Sequence, residues 1–140
     1  YRWLAPRISV PIVANESLAW NAEQCAAAAR SGAVQGFRMT IGKAGIGEAL
    51  RMASIAEANG AELDIAAFAP RGGLEACFHM ALASPATQWF EHHEALGLDL
   101  VPGISPGFTI AAGHASPIDG PGFGSEIDWQ ELERHCDWSD

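Results

Sequence analysis

The side chains most able to do chemistry fall into short groups along the 140 residues. Asn15 and Glu16 stand side by side and offer oxygen donors that suit a hard cation; equally, such a pair solvates a loop or complements a helix start. Met39-Thr40, Ala69-Pro70-Arg71 and Glu91-His92-His93 each follow a further apolar run. Arg71 is a cation fit for a substrate carboxylate, and Thr40 is a hydroxyl that binds substrate or water but does not take a proton at neutral pH. Glu91 is an acid that can bind or donate. His92 and His93 with Glu94 have metal-ligand chemistry, yet adjacent residues on an extended strand point to opposite faces, so at least one lies outside a shared site. His79 falls among apolar helical positions and reads as packing or surface. Gly42-Lys43-Ala44-Gly45-Ile46-Gly47 has the look of an anion-cradling loop but lacks both the dinucleotide fingerprint and the Gly-Lys-Ser/Thr of a P-loop, so a tight turn describes it better. No Gly-x-Ser-x-Gly elbow occurs, and Ser17 has no recognisable base partner.

These groups matter because of where the elements put them. Ile8 to Ala14 is a β-branched apolar run, and Asn21 with Gln24 forms a capping box for an Ala-rich helix that Gly32 closes. Gly36 to Ile41 is a second run, followed by a turn at Gly42 to Gly45 and a helix from Ile46 to Asn59 stopped by Gly60, with Ile46, Leu50, Ala53 and Ala56 as its apolar stripe. Leu63 to Phe68 is a third run; Leu74, Cys77, Phe78, Ala81 and Leu82 then mark an amphipathic helix, and Thr87 to Glu91 is a fourth strand candidate. Strand and helix alternating at this spacing call for right-handed crossovers and a parallel sheet buried on both faces, so the class is α/β. Ligands in such sheets bind at the carboxyl ends of the strands, which is where the groups above fall. From Leu96 to Gly124 Gly and Pro concentrate and only Phe108 to Ala112 can pair; Asp128 and Glu131 cap a closing helix with Trp129, Leu132 and Cys136 on its apolar side. The expected division is a strand-and-helix unit over 1–95 and a loop-rich cap over 96–140.

Composition bounds the function. With 49% hydrophobic and 18% charged residues the chain suits one globular domain, and no run reaches the roughly 18 to 20 apolar residues of a membrane helix. A net charge of −9 without a basic stripe argues against nucleic acid as a partner. Cys25, Cys77 and Cys136 are odd in number and far apart, which favours reduced thiols and a cytoplasmic setting. The N-terminus lacks both an initiator Met and a signal-peptide pattern, as expected of a fragment or a processed chain.

In order, the motifs resemble the C-terminal half of the enolase superfamily, in the branch of mandelate racemase, muconate lactonizing enzyme and the acid-sugar dehydratases. Val10-Pro11-Ile12-Val13-Ala14-Asn15-Glu16-Ser17 is similar to the fifth barrel strand, and Lys43-Ala44-Gly45 through Ile55-Ala56-Glu57-Ala58-Asn59-Gly60 to the sixth turn and helix. Trp89-Phe90-Glu91 resembles the eighth-strand end, and Pro121-Gly122-Phe123-Gly124-Ser125-Glu126-Ile127-Asp128 the C-terminal signature. The resemblance implies the second half of a (β/α)7β TIM-type barrel of about four parallel strands plus a cap. It implies a Mg²⁺-dependent enzyme that removes the proton α to a carboxylate through an enediolate, with a small carboxylate substrate. Asn15 matches a metal ligand, the other ligands lying outside this chain, and Glu91 matches an acid that contacts the substrate carboxylate. Thr40 stands where the family has a basic Lys or Asp, with Met39 the alternative alignment, and Phe68-Ala69-Pro70-Arg71 carries no seventh-strand His. Dehydration of a hydroxy acid, acid sugar or hydroxylated amino acid is therefore the first expectation; racemase, epimerase or cycloisomerase activity is the second, and a non-catalytic scaffold the third. Half a barrel also implies association with the missing N-terminal half or a partner chain, and homo-oligomers.

Overall fold

A computed structural model describes residues 1–16, 21–93 and 100–136. Its first βα unit shows how local chemistry sets element ends. After a 3₁₀ turn at Ala5–Arg7, Pro11 lacks the N–H a ladder needs, so the first run pairs only as β1, Val13–Ala14. Asn21 Oδ1 then accepts from Gln24 N–H while the Gln24 side chain accepts from Asn21 N–H, and this reciprocal cap opens α1, Ala22–Arg30. β2, Gly36–Met39, leads directly into α2, Ile41–Ala58, so the expected glycine turn is itself wound into helix. Gly45, at φ +74°, breaks the winding there, a conformation that favours glycine. β3, Glu62–Ala66, α3, Gly73–Ala83, and β4, Phe90–Glu91, complete the unit.

The four strands form one parallel sheet in the order β1-β2-β3-β4. Register pairs Ala14 with Phe37, Phe37 with Leu63, Arg38 with Asp64 and Ala66 with Glu91. One face is apolar: Ala14, Phe37, Met39, Leu63 and Ile65 are buried against Cys25 of α1, Met52 of α2 and Leu74 and Cys77 of α3. Burial of such side chains stabilises by roughly 1.5–3 kcal/mol each. The other face carries Arg38, Asp64 and Glu91, all half-buried, so within this chain the sheet alternates rather than being apolar on both sides.

Two helix faces differ from the sequence reading. In α2 the buried stripe is Ala49, Met52, Ala53 and Ala56, whereas Ile46 and Leu50 are exposed. Periodicity yields a repeat, but its phase follows from where the small residues let the helix approach the sheet. In α3 burial extends around Leu74, Glu75, Ala76, Cys77, Phe78 and Met80 while Leu82 is exposed, because the helix packs against α2 and the sheet and its Phe78 meets Phe108 of the cap.

The cap contains a hairpin of β5, Phe108–Ala111, and β6, His114–Pro117, joined through Ala112 and Gly113, both at positive φ as a two-residue turn of this twist demands. Its β6 strand went unforeseen, since His-Ala-Ser-Pro has little strand character and is held by pairing alone. Phe108 stacks on Phe78 with centroids 4.6 Å apart and meets Phe90 edge-on at 5.6 Å, anchoring the cap to the sheet. α4, Trp129–His135, is opened by Asp128, whose carboxylate accepts from Glu131 N–H.

Candidate functional site

Side chains on or just past four successive strands meet on the polar face. Arg38 points up from β2, and its Nε lies 3.4 Å from Glu16 Oε2, just past β1, and 3.6 Å from Asp64 Oδ2 of β3. Its Nη2 contacts Glu91 Oε2 of β4. The other Glu91 oxygen, Oε1, lies 2.8 Å from His93 Nε2. The Nε contacts lack hydrogen-bond alignment and are Coulombic. Three carboxylates facing one guanidinium leave this mouth with an excess of negative charge. Asp64 shows the consequence: burial pushes its carboxyl above the ordinary value, Arg38 pulls it down, and Glu16 and Glu62 push it up again, with a net rise.

Beside the cluster is a cavity of about 210 Å³ lined by Glu16, Thr40, Gly42, Lys43, Ala66 and Phe68. Thr40 caps α2 with its backbone only; its Oγ1 is buried and has no hydrogen-bond partner among the described residues. Lys43 Nζ donates to the Glu16 carbonyl at 3.3 Å. Phe68 is 61% exposed, and its ring meets the His93 ring edge-on at 6.0 Å.

The fold thus brings Thr40 and Glu91 to one mouth, with Asn15 exposed at the end of β1. It does not bring Arg71 there. The Arg71 side chain is 7% exposed and donates to Glu75 Oε1 at 2.5 Å, under the hairpin and 5.8 Å from the centre of the Phe108 ring. Glu75 is fully buried, and burial alone would push its carboxyl up; hydrogen bonds from Arg71, Gly72 N–H and Gly107 N–H reverse that and hold it below the ordinary value. His92 and His93 do diverge: His92 faces Phe108 and a groove between α3 and the hairpin. His79 packs on Phe123. Ser17 and Glu94 lie outside the described residues. Sequence reasoning missed Arg38 and Asp64, although a charge at alternate positions of two neighbouring apolar runs was a usable signal.

Residues 1–131 match the family described as enolase C-terminal domain-like. The chain belongs to this family. Solved enolase-superfamily structures agree in fold. One from Polaromonas sp. JS666 is 27% identical with a TM-score of 0.77, covering 96% of this chain and 36% of that one. A mandelate racemase/muconate lactonizing enzyme from Sulfitobacter sp. is 24% identical with a TM-score of 0.80, over 96% of this chain and 33% of that one. The L-Ala-D/L-Glu epimerase of Bacillus subtilis is 24% identical with a TM-score of 0.76, over 89% and 34%. No curated protein matches. The chain therefore spans about a third of the length of these structures, and its parallel sheet and helices are part of the family's TIM-type barrel domain.

Enolase-superfamily members generally bind Mg²⁺, so the donor set can be tested. Among the described residues no three His, Cys, Asp or Glu side chains gather to hold a metal, and the carboxylates that do converge are engaged by Arg38. These residues do not build a divalent-cation site by themselves. Also among them, no helix is long and apolar enough to cross a membrane.

Proposed function

We propose that the protein carrying this chain is a carbon-acid enzyme that removes the proton α to the carboxylate of a hydroxy acid, acid sugar or hydroxylated amino acid and expels a hydroxyl as water. The observation behind this reading is the convergence of Glu16, Arg38, Thr40, Asp64, Glu91 and His93 from successive strand ends on one mouth. In barrel enzymes that end of the strands is where chemistry is done. Thr40 supports dehydration over racemisation or epimerisation: inversion is best served by a base on each side of the α-carbon, and a hydroxyl at this position supplies none. Asn15 is the position from which this chain would reach a divalent cation whose other donors come from outside residues 1–140. When bound, such a cation would hold and polarise the substrate carboxylate. The exposed Trp3, Val10 and Trp89 on the segments flanking β1 and β4 fit burial against further barrel strands, in the same chain or a partner. The three free thiols suit a reducing, cytoplasmic setting.

The test is incubation of the full-length protein with Mg²⁺ in D₂O and a panel of 2-hydroxy acids, aldonic acids and β-hydroxy amino acids. Formation of a 2-keto acid supports dehydration; α-deuteration without keto acid indicates racemisation or epimerisation. Neither product would favour the scaffold reading, which has one observation on its side: Arg38 already neutralises Glu91. In calorimetric Mg²⁺ titrations Asn15→Ala should weaken binding more than Glu16→Ala, and the reverse ranking would shift the alignment by one residue.

A further inference from the structure

We propose that His93, with Glu91 behind it, is the proton-transfer group that this part of the barrel contributes; the inference rests on the carbon-acid reading above. Glu91 ends β4 and His93 lies two positions on, so they share the polar face, while His92 between them turns to Phe108. The 2.8 Å contact joins His93 Nε2 to Glu91 Oε1. An ion-paired carboxylate only accepts, so Nε2 carries the proton and Nδ1 is left with its lone pair. Glu91 Oε2 is meanwhile taken by Arg38. Arg38 thus holds the carboxylate, the carboxylate orients the imidazole, and the imidazole faces the mouth, 36% exposed at its side chain. On this proposal Glu91, with one oxygen against His93 and the other against Arg38, is a positioning residue and not a donor.

The surroundings suit a base. Phe68 links the His93 ring to the 210 Å³ cavity, whose buried Thr40 hydroxyl has no partner among the described residues and is available to a polar substrate group. The charged groups around His93 are Glu91 directly and Arg38, Glu16 and Asp64 through it. In the proposed step Nδ1 takes the α-proton; the C–H bond breaks and its electron pair stays on the α-carbon, delocalised into the carboxylate. The imidazolium, stabilised by Glu91, returns that proton to the departing β-hydroxyl as the C–O bond breaks. Water leaves, the double bond forms and neutral His93 is restored, with no further reagent.

The experiment follows α-proton loss, read both as exchange in D₂O and as keto-acid formation, on the full-length protein with the same panel. His93→Asn should slow α-proton loss by about a hundredfold or more, the usual scale of a lost general base. His92→Asn should leave it within about threefold. Glu91→Gln should slow α-proton loss less than His93→Asn and lower kcat with KM little changed, because a positioning residue acts through the base and not on substrate binding. Undiminished α-proton loss in His93→Asn, or a Glu91→Gln effect confined to KM, would overturn the His93 assignment while leaving the carbon-acid reading intact. Absence of both α-proton exchange and keto-acid formation with the unsubstituted protein across the panel would overturn the assignment and the reading together.

Discussion

Glu75→Ala is a perturbation whose cost follows directly from geometry. The carboxylate is fully buried and accepts three hydrogen bonds: Arg71 Nη1 at 2.5 Å, Gly72 N–H at 2.6 Å and Gly107 N–H at 3.4 Å. Together they tie the start of α3 to the loop that leads into β5. Truncation takes this carboxylate away from a guanidinium that is 7% exposed and from the two N–H groups. Breaking a buried pair from one side costs about 3–5 kcal/mol. With a urea m-value of about 2 kcal/mol per molar, the unfolding midpoint should fall by roughly 2 M. Replacing both charges, Arg71→Met with Glu75→Leu, should cost less than Glu75→Ala alone, because no charge is left unpaired. The pH dependence has a definite sign. Glu75 titrates below its ordinary value in the folded protein, so its stabilisation is fully present above the unfolded value of 4.5 and is lost as pH falls through the folded one. The gap between the unsubstituted protein and Glu75→Ala should therefore narrow in acid. A cost under about 1 kcal/mol, or a gap independent of pH, would refute the buried pair. Arg71→Met that raises KM without loss of stability would return Arg71 to the substrate site.

A short iodoacetamide pulse on the native protein should alkylate Cys136 and spare Cys25 and Cys77, since burial, helped by the Glu48 charge, pushes the Cys25 thiol up to about 12 and burial also raises Cys77. Peptide mass spectrometry checks this, and early labelling of Cys25 would contradict the packing of α1. Thr40→Val should leave stability unchanged or raise it by about 1 kcal/mol, because it deletes an unpaired buried hydroxyl, while turnover falls roughly tenfold for one lost substrate contact; a clear loss of stability in urea unfolding would mean the hydroxyl is bonded in solution. Asp64 titrates above 3.8 when folded, so the native state holds its proton longer than the unfolded chain and stability declines as pH rises through that window. Asp64→Asn should flatten this decline, and an unchanged slope in pH-dependent unfolding would reject it.

Local rules were legible in the chain itself. The Asn21–Gln24 box caps α1 because both partners lie within one turn, and Gly60, at φ +62°, follows the end of α2 because it tolerates a positive φ. The β-α rhythm and the ordered motifs were enough to indicate a parallel sheet and the enolase family, and strand ends offered Asn15, Thr40 and Glu91 as candidates. What no local rule carries is pairing across elements. Arg38 reads as one polar residue inside an apolar run; only the register of β2 with β3, and the end of β4 beyond, puts it among Glu16, Asp64 and Glu91. Arg71 lies at a strand end like the others, yet Glu75 one helical turn on, fully buried under the hairpin, takes its guanidinium out of the mouth. Sequence spacing determines which side of its own element a residue faces, within one phase of the repeat. Which charge it meets there depends on register, helix docking and the seating of the cap, all of them set by packing between residues far apart in the chain.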